Sequence, residues 1–202
     1  VLEWSTLLSS LPKYGGAFYT RWGRSSCPSN SSMVYKGQVT GPSWLSVGGG
    51  PNWQCLPDDP EYNPSAPTAP QSSLRAAQYR HGSVNNHRMP CTVCESGKRV
   101  SQLMIPAKTR CPPGEWTLEY KGYLGSSAEY KSNSGELLKN HYFRGSYICV
   151  DENPESLTGK SHPREGPQIY QVNAACGNVT GALTNCPPYQ ANKALSCVVC
   201  SK

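Results

Sequence analysis

Apolar residues recur along this chain in short runs with a period of two, interrupted every few positions by Gly, Pro, Ser or Asn. The clearest run is Trp116-Thr117-Leu118-Glu119-Tyr120, where every second residue is large and apolar, as in a strand with one buried face. This pattern predicts strands over 32–37, 53–56, 90–94, 116–123, 146–150 and 196–200. Gly48-Gly49-Gly50, the stretch 64–70 and Pro187-Pro188 break it and read as loops. One segment follows a different period. Trp4, Leu7, Leu8 and Leu11 fall at i, i+3, i+4 and i+7, predicting a short amphipathic helix within residues 1–16, ended by Pro12 and Gly15-Gly16. Three turns are marginal alone, so the apolar face must dock, on its own chain or against sister chains.

Composition agrees with a strand-and-turn protein. Among 202 residues there are 19 Gly and 18 Pro, and charged residues make up only 16%. No apolar run is long enough to span a bilayer, so membrane insertion is not expected. The opening at Val1, with neither Met nor an apolar leader, is what a processed mature form presents. Asn30-Ser31-Ser32 and Asn178-Val179-Thr180 are acceptor patterns for N-glycosylation. With ten cysteines, an even number, they predict a secreted, extracellular protein. The net charge of +6 is local: Arg75, Arg80, Arg88, Lys98, Arg99, Lys108 and Arg110 face one acid, Glu95. Such a stretch is either an ordinary solvated surface or a site for polyanions such as sulfated glycans.

The sequence also repeats itself. Arg24-Ser25-Ser26-Cys27-Pro28 is answered by Lys108-Thr109-Arg110-Cys111-Pro112, and Tyr35-Lys36-Gly37 by Tyr120-Lys121-Gly122. Cys55-Leu56-Pro57-Asp58-Asp59-Pro60-Glu61 is answered by Cys149-Val150-Asp151-Glu152-Asn153-Pro154-Glu155, and Cys91-Thr92-Val93-Cys94 by Cys197-Val198-Val199-Cys200. Four blocks in one order predict a tandem duplication, with a first unit over 17–103 and a second over 104–202. The join, Met104-Ile105-Pro106-Ala107, is too short and apolar to act as a flexible linker. The expected architecture is therefore all-β and disulfide-rich: two short-stranded units packed with pseudo-twofold symmetry, plus the N-terminal helix.

Two Cys-x-x-Cys pairs admit structural disulfides, a zinc site or a redox pair. Their inner residues, Thr-Val and Val-Val, favour strands over the helix N-terminus that a redox thiol uses. Disulfides are the reading that fits best, with zinc and redox chemistry as alternatives. Cys111-Pro112-Pro113-Gly114-Glu115-Trp116, Tyr120-Lys121-Gly122-Tyr123 and the closing Ser196-Cys197-Val198-Val199-Cys200-Ser201-Lys202 resemble the C-terminal non-collagenous domain of type IV collagens. Tyr19-Thr20-Arg21-Trp22-Gly23-Arg24 and the block from Cys55 to Tyr62 are more similar still to the C-terminal regions of short-chain, spongin-like collagens. The resemblance covers residues 17–202. It implies nested bridges Cys27–Cys94, Cys55–Cys91, Cys111–Cys200, Cys149–Cys197 and Cys176–Cys186, and self-association as a trimer. The sequence departs from those collagens in having no Gly-X-Y tract.

Catalytic signatures are absent, as are phosphate loops, so an enzyme, a cofactor and a metal are not expected. His81, His87, His141 and His162 are scattered among polar residues and read as surface groups. The acidic blocks 58–61 and 151–155 read as turns before they read as calcium loops. Trp44 and Trp53, set among Gly, Ser and Asn, are candidates to stack on sugar rings, whereas Trp22 and Trp116 read as core. Two functions follow: a non-enzymatic extracellular matrix or assembly module whose partners are sister chains, or a stand-alone secreted lectin for extracellular glycans. Neither involves nucleic acid.

Overall fold

A computed structural model describes residues 15–42, 50–65, 72–127, 145–157 and 166–202. The predicted helix, Trp44, His141 and His162 lie outside the described residues. The chain forms an 11-stranded sheet: β1 (Phe18–Trp22), β2 (Ser32–Gly41), β3 (Gln54–Pro57), β4 (Arg75–Ala76), β5 (Gln78–Tyr79), β6 (Pro90–Glu95), β7 (Gln102–Pro106), β8 (Thr117–Ser126), β9 (Ile148–Asp151), β10 (Gln168–Gln171) and β11 (Ser196–Ser201). All six predicted strands form, with ends shifted by a few residues at most. β1, β4, β5, β7 and β10 were not predicted, and the predicted join at 103/104 falls inside β7.

In the first half β6 lies between β1 and β2, β3 pairs with the outer edge of β2, and β4 pairs with the end of β2 on the β6 side. In the second half β11 lies between β7 and β8, β9 pairs with the outer edge of β8, and β10 pairs with the end of β8 on the β11 side. The registers coincide. Gly37 opposes Cys91 and Pro57; Gly122 opposes Cys197 and Asp151. At both glycines a Cβ would come within 2 Å of a carbonyl oxygen on the neighbouring strand, that of Leu56 or of Val150. Only glycine permits that approach.

The halves join through two parallel contacts, Trp22 of β1 beside Val150 of β9, and β5 beside β10. One core cluster draws Val39, Trp53, Tyr79 and Met89 from the first half and Ile148, Val150 and Ile169 from the second. A second cluster packs Tyr19 and Cys94 with Tyr120, Leu124, Cys149 and Val199. The disulfides are Cys27–Cys94, Cys55–Cys91, Cys111–Cys200, Cys149–Cys197 and Cys176–Cys186, with no free cysteine. These are the pairs that the resemblance implies. Thiol-based zinc binding and redox cycling have no free thiolate to use. Five disulfides fit an oxidising, extracellular setting. Among the described residues no helix is long and apolar enough to cross a membrane.

The run at 116–120 departs from simple alternation. Leu118 opposes Cys200 and Tyr120 opposes Val199, so Glu119 is an extra residue in a β-bulge. The bulge turns Glu119 inward, leaving its side chain fully buried, and leaves Leu118 42% exposed. β2 carries the same irregularity: Met33 opposes Cys94, Tyr35 opposes Val93, and Val34 is the extra residue.

The glycine approach yields a direct test. Gly37→Ala and Gly122→Ala are each expected to destabilise the fold by about 3 kcal/mol, read as a lower urea midpoint. Gly114→Ala, whose Cβ would meet nothing within 4 Å, carries only the strain of its positive φ and serves as control.

Candidate functional site

The seam between the halves is where the chain places its buried polar chemistry. Glu119 is its hub. Its carboxylate accepts hydrogen bonds from Tyr19 Oη (2.8 Å), Ser31 Oγ (2.9 Å), Arg99 Nη2 (2.8 Å) and Nε (3.1 Å), and Ser201 Oγ. Burial alone would raise the carboxyl pKa, but the bonds from Ser201, Tyr19, Ser31 and Arg99 outweigh it and hold the group below its ordinary value. Burial pushes the Tyr19 phenol up, so it stays a donor.

Two further polar pairs extend the seam. Arg21 Nε meets Asp151 Oδ2 at 2.8 Å, and Asp151 also accepts from the Asn153 N–H. Glu155 accepts from the Ser25 N–H (3.0 Å) and Oγ (2.5 Å) and lies 3.2 Å from Arg24 Nη1. Its own N–H donates to the Gly23 carbonyl at 2.8 Å. Burial would raise the Glu155 pKa, but the Ser25 bonds and the Arg24 charge lower it instead. Tyr120 closes the seam by donating to the carbonyls of Thr20 and Cys149, both at 2.9 Å. At the far end His81 packs edge-on between Tyr79 and Tyr123 and hydrogen-bonds the Tyr123 hydroxyl.

The positions that match this seam are more open among the described residues: Leu103 and Val34 are exposed, and Ile105 and Pro57 are half-buried. Tyr19 and Leu103 sit opposite Cys94 and Cys200; Arg21 and Ile105 sit opposite Thr92 and Val198. Gly23 N–H bonds the Pro90 carbonyl, and Ala107 N–H bonds that of Ser196. Tyr19 is buried, whereas Leu103 is 43% exposed. On the other side of the seam Glu119 matches Val34, which is 51% exposed, and Asp151 matches Pro57. The polar pairs Tyr19–Glu119 and Arg21–Asp151 thus correspond to two apolar sets, Leu103 with Val34 and Ile105 with Pro57. Pro106 stands where Trp22 makes the parallel contact with Val150, and Pro57 follows Leu56, the match of Val150; proline has no N–H to extend a ladder.

Several sequence expectations change here. Trp53 cannot stack on a sugar: it is 4% exposed, its Nε1 donates to the Ser146 carbonyl (2.9 Å), and Gly145 packs on its ring. Arg99 is withdrawn from the basic stretch by its ion pair with Glu119. Arg80 bonds Asn86 and lies over the Tyr170 ring, while Arg75, Arg88 and Lys98 are exposed on separate segments and Lys108 and Arg110 are exposed between β7 and β8. Asn30 and Asn178 are both exposed. The 151–155 block is a turn whose oxygens are engaged within the chain, and no metal-ligating group of three occurs among the described residues. Sequence reasoning missed Glu119, although its place beside the repeated Tyr-Lys-Gly, where the first unit has Val34, was a visible signal.

Because the folded pKa of Glu119 lies below its ordinary 4.5, the unfolded chain binds that proton first. Its stabilisation is present above about pH 4.5 and drains away as pH falls toward the folded value. Glu119→Gln leaves Arg99 unpaired and is expected to cost about 2–3 kcal/mol at pH 7. Urea midpoints from pH 6 to pH 3 should fall less steeply in this variant than in the wild type. An equal slope would show that Glu119 is not the group responsible.

No protein-family model matches this chain, and neither does any solved structure.

Proposed function

We propose that this protein is a secreted, non-enzymatic extracellular assembly module, built by tandem duplication, that associates head to tail with copies of itself. The observation that carries the reading is the chemistry of the matching positions. Inside one chain the seam joins Tyr19 to Glu119 and Arg21 to Asp151. The matching residues, Leu103 and Ile105 on one side and Val34 and Pro57 on the other, are all apolar. Leu103 and Val34 are large apolar residues left 43% and 51% exposed. If the second half of one copy meets the first half of the next as the halves meet within a chain, these residues cover one another. Polar pairs would be replaced by apolar pairs at both places at once.

The geometry of such a contact is heterologous, so it closes into a ring or runs on as a filament according to its rotation. The resemblance to collagen C-terminal domains points to a closed ring of three. Side-chain docking, rather than a shared ladder, follows from the two prolines on the facing edges, and edge prolines suppress unspecific strand pairing. Met33 and Leu118, at 48% and 42% exposure, add to the apolar surface beside Val34 and Leu103. Asn30, in the turn next to Met33 and Val34, is a glycosylation acceptor pattern, and a glycan there would sit at the margin of the contact.

Sedimentation equilibrium tests this directly. The wild-type chain is expected as an oligomer at micromolar concentration, and Leu103→Asp as a monomer with an unchanged melting temperature. An oligomer unaffected by both Leu103→Asp and Val34→Asp would place the interface elsewhere.

A further inference from the structure

From the seat of Glu155 we infer a second carboxylate seat in this chain, formed by Lys108 and Thr109, whose occupant is Glu61 of a second copy. The inference rests on the head-to-tail reading and adds the polar anchor that the apolar contacts lack.

The seat is defined by register. Beyond Gly23 the chain presents Arg24 and Ser25, two residues before Cys27; beyond Ala107 it presents Lys108 and Thr109, two residues before Cys111. Cys27 and Cys111 are tied to Cys94 and Cys200, the residues opposite Tyr19 and Leu103, so both segments leave their strands under the same constraint. In the first half that segment offers a carboxylate an N–H, a hydroxyl and a cation, and Glu155 takes all three. Lys108 and Thr109 supply the same three groups. Both are exposed, and neither makes an ion pair or side-chain hydrogen bond among the described residues.

The occupant follows from the same comparison. Glu155 lies six residues after Cys149, and Glu61 six after Cys55. Glu61 is exposed and forms no ion pair among the described residues. It cannot fill the seat of Glu155, which is already taken. Beside Lys108 opens a cleft of about 500 Å³ whose walls include Asn185, Tyr189, Gln190 and a second cation, Lys193. Asp58 and Asp59 precede Glu61 on the same exposed turn, so the incoming segment is acidic and the receiving cleft basic. Charge-assisted hydrogen bonds in a partly closed site discriminate strongly between partners.

The experiment is sedimentation equilibrium on the full chain carrying Glu61→Lys, Lys108→Glu, or both. All sites are exposed, and thermal melts verify that each variant keeps its fold. Each single reversal is expected to weaken association at least about tenfold, and the double exchange to recover most of it. Thr109→Val is expected to weaken association without changing the charge. A double exchange no better than the single reversals would overturn the pairing. Association lost in Leu103→Asp but untouched by all three polar variants would overturn the seat while leaving the apolar contact standing. A wild-type chain that stays monomeric at about 100 μM would overturn both.

Discussion

Burying a carboxylate is costly unless its oxygens are fully bonded, and the fold of this protein is arranged around meeting that condition for Glu119. Its donors come from β1, from the turn before β2, from the segment between β6 and β7, and from β11. No local element could bring those four segments to one point. The two halves must be in their final relation before the last hydrogen bond forms. That requirement makes the seam specific in a way that apolar contact alone does not, because a shifted register would strand either Glu119 or Arg99 without a partner. The bulge in β8 is the device that aims the side chain inward, and the Cys111–Cys200 bridge holds the strand beside it.

The same constraint explains why the matching surface is chemically different. A buried carboxylate suits a contact made once, within a chain, where no desolvation of free surfaces precedes it. In the proposed assembly Leu103 and Val34, with the half-buried Ile105 and Pro57, would meet between copies, where apolar residues lose little by being open beforehand and gain by being covered. In that proposed assembly the polar element lies at the margin, as Lys108, Thr109 and Glu61, and stays solvated until docking. The prolines at 57 and 106 remove donors from both edges, so that edge-to-edge hydrogen bonding with unrelated strands is not an easy alternative.

Much of the fold was legible in the sequence. Cysteine-anchored repetition located β6 and β11, each carrying two bridged cysteines, and the repeated Tyr-Lys-Gly marked β2 and β8. The short strands were not legible. β4, β5 and β10 are two to four residues long and exist because neighbours hold them. β7 was hidden because Met104-Ile105-Pro106 reads as an apolar join. The strand at 116–120 showed its period but not its bulge, which depends on a partner register that no single strand encodes. Trp53 misled because its neighbours Gly50, Pro51 and Asn52 are exposed while the indole itself turns into the core against Gly145. Arg99 was indistinguishable from its basic neighbours until Glu119 was placed beside it. The seam was encoded in the repeat all along, in the unlike residues at matched positions rather than in the like ones.

A photo-crosslinking amino acid placed at position 103 puts the central claim to its most direct test. Irradiation of the assembled protein, followed by digestion and mass spectrometry, reads which peptide lies over that position. The account predicts crosslinks between chains, landing on the segment around Val34 and Tyr35 of a second copy. Crosslinks confined to the parent chain, or none above the level of a control at the exposed Leu74, would contradict it.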